Sequence, residues 1–321
     1  MKLQGTKRQG MKLLAGFSMA VAAAAQGVVV ETATAGFAVA PLSARGDLSR
    51  QATAARRAIR GKVYRYRAFV TGTPDPAPLA KALGAAPVTV IRVQGLPLAG
   101  ALISLEAVTA RGKNPGGLLF LSGQPATNAD QSFAQLDTVL RAAALEPSDL
   151  LQLTCYSTAP ENASATLSLA ARRYPAAARN LVQIPAPEGR TLIECEAVAR
   201  ARRPAGYLNP ESLAKSANYT QAVGIDTPKL MWSGLREVGE CSAGAVRAAF
   251  TALAGTLDAR GGSIRQVAMS HLYPYSKDAS DLLRAIRFDF YDRARPPAST
   301  MLVFPPGPGP CAAIETVQPV R

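Results

Sequence analysis

Two residues carry the charges best suited to work on a small acidic molecule. Arg179 lies in AARNLVQI (177–184), and Glu196 is the second acid of IECEAVA (193–199). A guanidinium is a planar fork that stays charged at any relevant pH and can hold a carboxylate bidentately. A glutamate beside the same ligand can orient or activate water, or carry a proton to a leaving group. By strand alternation Glu194 and Glu196 share one face, with Cys195 on the other. The apolar run LLFLSGQ (118–124) ends in Ser122-Gly123, where glycine lets the main chain approach a ligand closely. On residue types alone, an arginine near a Glu-bearing strand is more often a surface ion pair than a catalytic group. The four cysteines, Cys155, Cys195, Cys241 and Cys311, form no C-x-x-C pair, and with the single histidine, His271, they offer no common zinc site. Cys195 reads as a small buried apolar residue with which Cys155 could pair in an oxidising compartment; His271 reads as packing a strand end.

The elements that must position these groups are legible over 118–199. LLFLSGQ is a strand. In 131–145, Phe133, Leu136, Val139 and Leu140 fall on one helical face. A strand over 150–156, a helix ending near Tyr174-Pro175 and strands over 181–184 and 191–198 complete a β-α-β-α-β-β order, which implies one layer of helices on one face of a sheet. The pattern recurs. LMWSGL (230–235) answers LLFLSGQ, with Ser233 placed 111 residues after Ser122, and CAAIETV answers LIECEAV, with Glu315 placed 119 residues after Glu196. Between them lie helices over 245–257 and 281–290 and a strand over 265–272. A period near 115 residues predicts two tandem α+β domains, 85–202 and 203–321, each a mixed sheet with two helices on one face. Strands over 88–93 and 101–108, around the turn LPLAG, open the first. The stretch 48–84 reads as a linker or N-terminal extension, with an edge or extra strand at 62–71, where apolar and basic residues alternate.

Residues 1–47 read as a targeting leader: Lys2, Lys7, Arg8 and Lys12 precede an apolar run, 13–25, too short to span a membrane. The Ser/Thr/Arg-rich stretch after it fits a bipartite plastid leader or an export signal followed by a linker. Of the net charge of +14, residues 1–70 carry +10, with twelve Lys/Arg against Glu31 and Asp47. That placement assigns the basicity to the leader and argues against a nucleic-acid partner for the folded part. No membrane association is expected once the leader is removed.

SGQ after an apolar strand, P-x-x-x-R-N-L-V-Q-I and I-E-C-E-A-V-A, in that order, resemble the RidA/YjgF family of imine deaminases; NYTQAV (218–223) resembles the family's P-Y-S-Q-A opening. The resemblance implies a chorismate-mutase-like fold in each domain and a homotrimer. It implies hydrolysis of 2-imino or enamino acids to 2-oxo acids and ammonia, with no metal and no organic cofactor. Carried onto this chain, Arg179 would clamp the substrate carboxylate and Glu196 would be the pocket glutamate. Ser122, Gly123, Tyr219, Ser233 and Gly234 would contact substrate. In the second domain Ser299 stands where the arginine would be, so a division of labour is expected, with Arg179 and Glu196 from one domain and Tyr219 and Ser233 from the other. The alternatives are a catalytically inactive RidA-like protein that binds a small molecule, and a chorismatase-like hydrolase on the same duplicated fold.

Overall fold

The computed structural model describes residues 27–73, 76–186, 190–307 and 309–321. Its chain repeats one β-α-β-α-β-β unit three times. Unit one comprises β2 (Gly36–Val39), α1 (Leu48–Ala58), β3 (Val63–Thr71), α2 (Pro76–Leu83), β4 (Val88–Val93) and β5 (Ile103–Thr109). Unit two comprises β6 (Leu118–Ala126), α3 (Ala129–Ala142), β7 (Leu150–Ser157), α4 (Ala163–Arg173), β8 (Ala178–Gln183) and β9 (Ile193–Arg200). Unit three comprises β12 (Lys229–Trp232), the short β13 (Arg236–Val238), α5 (Ala243–Asp258), β14 (Met269–Pro274), α6 (Lys277–Ile286), β15 (Ala298–Met301) and β16 (Ala312–Val320). The sheets run β2-β5-β3-β4, β6-β9-β7-β8 and β12-β16-β14-β15, so each unit places its last strand between its first and second. In each, the second and third strands are parallel and the other pairings antiparallel.

Side-chain polarity sets the faces. On β7 and β9, Leu153, Cys155, Cys195 and Ala197 pack with Phe133, Leu136 and Leu140 of α3 under the helices. Thr154, Tyr156, Glu194 and Glu196, one residue out of phase, take the opposite face. Those opposite faces of all three sheets meet. Val108, Phe120, Trp232 and Met269 join in one apolar cluster, and Phe69, Tyr156, Tyr273 and Phe304 in another. The helices are capped by their sequence: Asp47, Asn128, Ser242 and Ser276 each accept the backbone N–H three residues on, at the starts of α1, α3, α5 and α6.

The expected organisation needs four corrections. Residues 48–84 are not a linker: α1, β3 and α2 are the heart of a third unit, and β3 is central in its sheet. Nor does 1–47 lie wholly outside the folded body, because β1 (Val28–Glu31) pairs with β12 and β2 pairs with β5; positions 1–26, with the apolar run of the expected leader, fall outside the described residues. Strands β4 and β5 are not neighbours across LPLAG, since β3 separates them. Finally, eight of the twelve cations in 1–70 follow residue 27, so the basicity belongs to unit one.

The strands that precede units one and three are exchanged between sheets. β11 (Ala222–Ile225), from NYTQAV, pairs with β6 of unit two and carries the short β10 (Tyr207–Leu208) on its other side. The vacated edge of β12 is filled by β1 from the other end of the chain. Each exchange satisfies a row of edge N–H and C=O groups that would otherwise stay open. All four cysteines are bonded: Cys155 to Cys195 across β7 and β9, and Cys241 to Cys311 across the start of α5 and the start of β16. Cys195 is therefore half of a disulfide rather than a free apolar thiol. No helix of the described residues is long and apolar enough to cross a membrane.

Candidate functional site

Three glutamates hold equivalent places on the last strands, Glu106, Glu196 and Glu315. Each stands opposite one residue of the second strand: Arg67, Thr154 and His271. They converge on a buried polar layer between the two apolar clusters. Arg67 donates from Nε to Glu106 at 2.7 Å and from Nη1 to Glu196 at 2.9 Å. Arg65 donates to Glu315 at 2.6 Å, and Thr89 Oγ1 donates to the same oxygen at 2.7 Å. Tyr156 Oη donates to Glu196 at 3.1 Å, and His271 Nε2 lies 3.2 Å from the same carboxylate oxygen. Burial disfavours the charge on Glu196, yet His271 and Arg67 hold it well below the usual carboxylate range. The residual cavity here is about 40 Å³, room for about one to three waters and no more. Glu196 is thus an anion that ties unit two to units one and three through Arg67 and His271, with its Oε2 buried and without a partner. His271, expected merely to pack, is part of that tie.

Arg179 lies on β8, which packs against β2. Its Nη1 donates to the carbonyls of Tyr174 (2.9 Å), Pro175 (3.2 Å) and Ala177 (2.9 Å). That guanidinium fastens the turn between α4 and β8. Ser233 and Gly234 lie beside unit one: the unit-three to unit-one contact, lined by Val88, Thr89 and Gly234, leaves only about 10 Å³. Ser233 Oγ accepts from Thr316 N and donates to Gly234 O, within its own unit. The seven expected site residues are therefore dispersed.

One inter-unit cleft does gather three of them. Between units two and three, Ser122 Oγ donates to Thr220 O at 2.6 Å and accepts from Ser299 N at 2.8 Å, which seats β6 against β15. Beside that seam opens a cleft of about 130 Å³, lined by Gly123, Pro125, Glu194, Asn218, Tyr219, Arg284, Arg287, Ser299 and Met301. Gly123 and Tyr219 line it, and Ser122 builds its wall. A Cβ at Gly123 would collide with the Glu194 carboxylate, so only glycine leaves that acid its place. Thr220 Oγ1 donates to Pro296 O at 2.6 Å, which pins the Tyr219 segment to unit three.

The electrostatics of this cleft are unusual. Burial, with Glu196 nearby, pushes the Glu194 carboxyl up to about 8, so it is largely protonated at neutral pH. Arg287 is 3 % exposed, and burial lowers it to about 10, with the like charge of Arg284 acting the same way. Its Nε has no partner, and no carboxylate pairs with it among the described residues. A buried guanidinium without an anion is costly unless a ligand supplies one. Burial, then the charge of Glu194, raises the Tyr219 hydroxyl, which keeps it protonated and able to donate. The cleft therefore offers a cation, a neutral carboxylic acid, a phenol and a close-approach glycine.

Glu194 and Arg287 are the residues that sequence reasoning missed. Alternation put Glu194 and Glu196 on one face, but only the neighbouring units decide which of the two meets a cleft. Arg287 follows α6 and no motif marks it; in space it lies in the cleft that Gly123 and Glu194 of unit two line. Among the described residues no three His, Cys, Asp or Glu side chains are placed to hold a metal ion.

No protein-family model and no curated protein sequence matches this chain. Similar solved structures include a YjgF-family protein from Neisseria meningitidis, 15% identical, covering 32% of this chain and 87% of that one, with a TM-score of 0.27. A Rid-family protein of unknown function from Yersinia pestis is 28% identical, covering 27% of this chain and 81% of its own, with a TM-score of 0.25. A chorismatase structure, 13% identical, spans 90% of this chain and 100% of its own, with a TM-score of 0.29. Scores this low carry no argument about activity.

Proposed function

We propose that the cleft between units two and three hydrolyses small 2-imino or enamino acids to 2-oxo acids and ammonia. The observation that carries this reading is the pairing of an uncompensated buried cation, Arg287, with a neutral acid, Glu194, across one small cleft. Arg287 holds the substrate carboxylate, with Arg284 beside it. Glu194 protonates the imine nitrogen, and its carboxylate then takes a proton from the water that adds to the imine carbon. The same proton passes to nitrogen as the carbon–nitrogen bond breaks, and the hydroxyl that becomes the 2-oxo group gives its proton back to Glu194, so ammonia leaves and Glu194 returns to its neutral starting state. Tyr219 and the Gly123 main chain position the reacting carbon, so the encounter is oriented before chemistry begins. At about 130 Å³ the cleft suits a substrate of a few heavy atoms better than a ring-bearing dicarboxylate. The two disulfides support folding in an oxidising compartment, as an exported protein would meet.

Ammonia release by the full chain is measured with 2-iminopropionate and 2-iminobutyrate formed in situ by an amino-acid oxidase, beside Arg287→Met. Acceleration is expected, with kcat/KM lowered about 100-fold or more in the variant, as the loss of a charged clamp implies. A folded protein that does not accelerate imine hydrolysis refutes the reading. Chorismate consumption in a parallel assay would establish the chorismatase-like alternative in its place.

A further inference from the structure

Units one and two meet as units two and three do, since β8 packs on β2 there as β15 packs on β6, but the cleft at this interface opens at the other end of the strands, beside the start of β2 and the ends of β5 and β9. It is much larger, about 470 Å³, and its charges differ in kind. Arg60, Arg111, Lys113 and Arg200 line it, and no acid does. None of the four is in an ion pair among the described residues. Arg200 Nε, at the end of β9, is buried and has no hydrogen-bond partner. Four cations converging without an acid repel one another, and an anionic ligand is the arrangement that relieves this.

The loop that carries two of the cations is held in place. Arg111 and Lys113 sit on the loop from β5 to β6. Gly112 N donates to Thr34 O at 2.8 Å and Asn114 N to Ala33 O at 2.8 Å, while Asn114 Nδ2 donates to Thr32 O and Ala35 O at 3.0 and 2.7 Å. The stem of Arg111 lies over Gly61, at φ +93°, where a Cβ would strike it. Between the charges, Ile59 and Leu151 give the cleft an apolar lining.

We propose that this cleft is a second ligand site, for a small molecule bearing two or more phosphate or carboxylate groups. Guanidinium forks recognise both oxyanions, and four cations match at least two of them. A concave site of this size fits a compact polyanion better than an extended strand. The proposal uses no residue of the unit-two to unit-three cleft, so it stands or falls apart from the deaminase reading.

The test is titration calorimetry of the full chain with inorganic pyrophosphate and, separately, citrate. Saturable one-to-one binding is expected for at least one probe, and which of the two binds more tightly tells phosphate from carboxylate recognition. The double variant Arg111→Ala/Lys113→Ala, at exposed positions, should weaken that binding about tenfold or more. Arg60→Glu should weaken it further while thermal melting stays unchanged. Absence of saturable binding to either probe, or binding that both variants leave intact, overturns the proposal. Tighter binding of a single-stranded oligonucleotide than of pyrophosphate, lost in the same variants, overturns the small-molecule assignment in favour of a nucleic-acid surface.

Discussion

Replacing Glu194 by glutamine tests the physical basis of the candidate site without any substrate. Burial raises the folded-state carboxyl from 4.5 to about 8. Between those values the unfolded chain has released the proton and the folded chain keeps it. The group's contribution is therefore fully present below pH 4.5 and is lost as pH rises to about 8. At about 1.4 kcal/mol per pH unit, the wild type should lose about 3 kcal/mol relative to Glu194→Gln between pH 5.5 and 8.5. Glutamine keeps the shape and a donor but has no proton to lose, so the variant lacks this slope. Urea unfolding of both proteins at pH 5.5, 7 and 8.5 measures the gap. A gap that does not change with pH refutes the assignment of a protonated Glu194. A gap of opposite sign would mean that the carboxylate is ionised in the fold, held by Arg287, and the cleft would then lack its free cation. With imine substrates, wild-type turnover should decline above pH about 8, as the acid ionises, and Glu194→Gln should be slower by about 100-fold or more at neutral pH.

Arg179→Ala should lower stability by about 1–3 kcal/mol, because three carbonyls lose their donor, while imine turnover changes less than about threefold; a collapse of turnover in a folded variant would return Arg179 to the active site. Native protein should expose no reactive thiol to alkylation before unfolding. Reduction should cost on the order of 4 kcal/mol per disulfide for the loops of 40 and 70 residues that they close, read as a fall in the urea midpoint with added thiol; alkylation of the native protein, or an unchanged midpoint, would contradict the pairing.

Unit two is the part that the sequence determined almost alone. Its helices follow from the three-and-four spacing of Phe133, Leu136 and Leu140, and its strand faces from the alternation of Glu194, Cys195 and Glu196. These are local periodicities, carried by residues a few positions apart. Unit one obeys the same order, but its middle strand is written KVYRYRAFVT, and alternating arginines read locally as a solvated edge. They are buried because their partners come from elsewhere: Glu315 stands 250 residues from Arg65, and Glu196 stands 129 from Arg67. No window along the chain contains both halves of such a pair.

The exchange of β11 and β1 was hidden for the same reason, since an edge strand's local pattern does not say which sheet it completes. The candidate site shows the limit most clearly. Residue types placed an arginine and a glutamate on unit two, and the tertiary structure gave Arg179 to a turn and Glu196 to the core. It left Glu194 facing Arg287 across a seam between units. Charge and hydropathy along the chain set which elements form; only the packing of three sheets decides which charges lose their water, and therefore which of them can do chemistry.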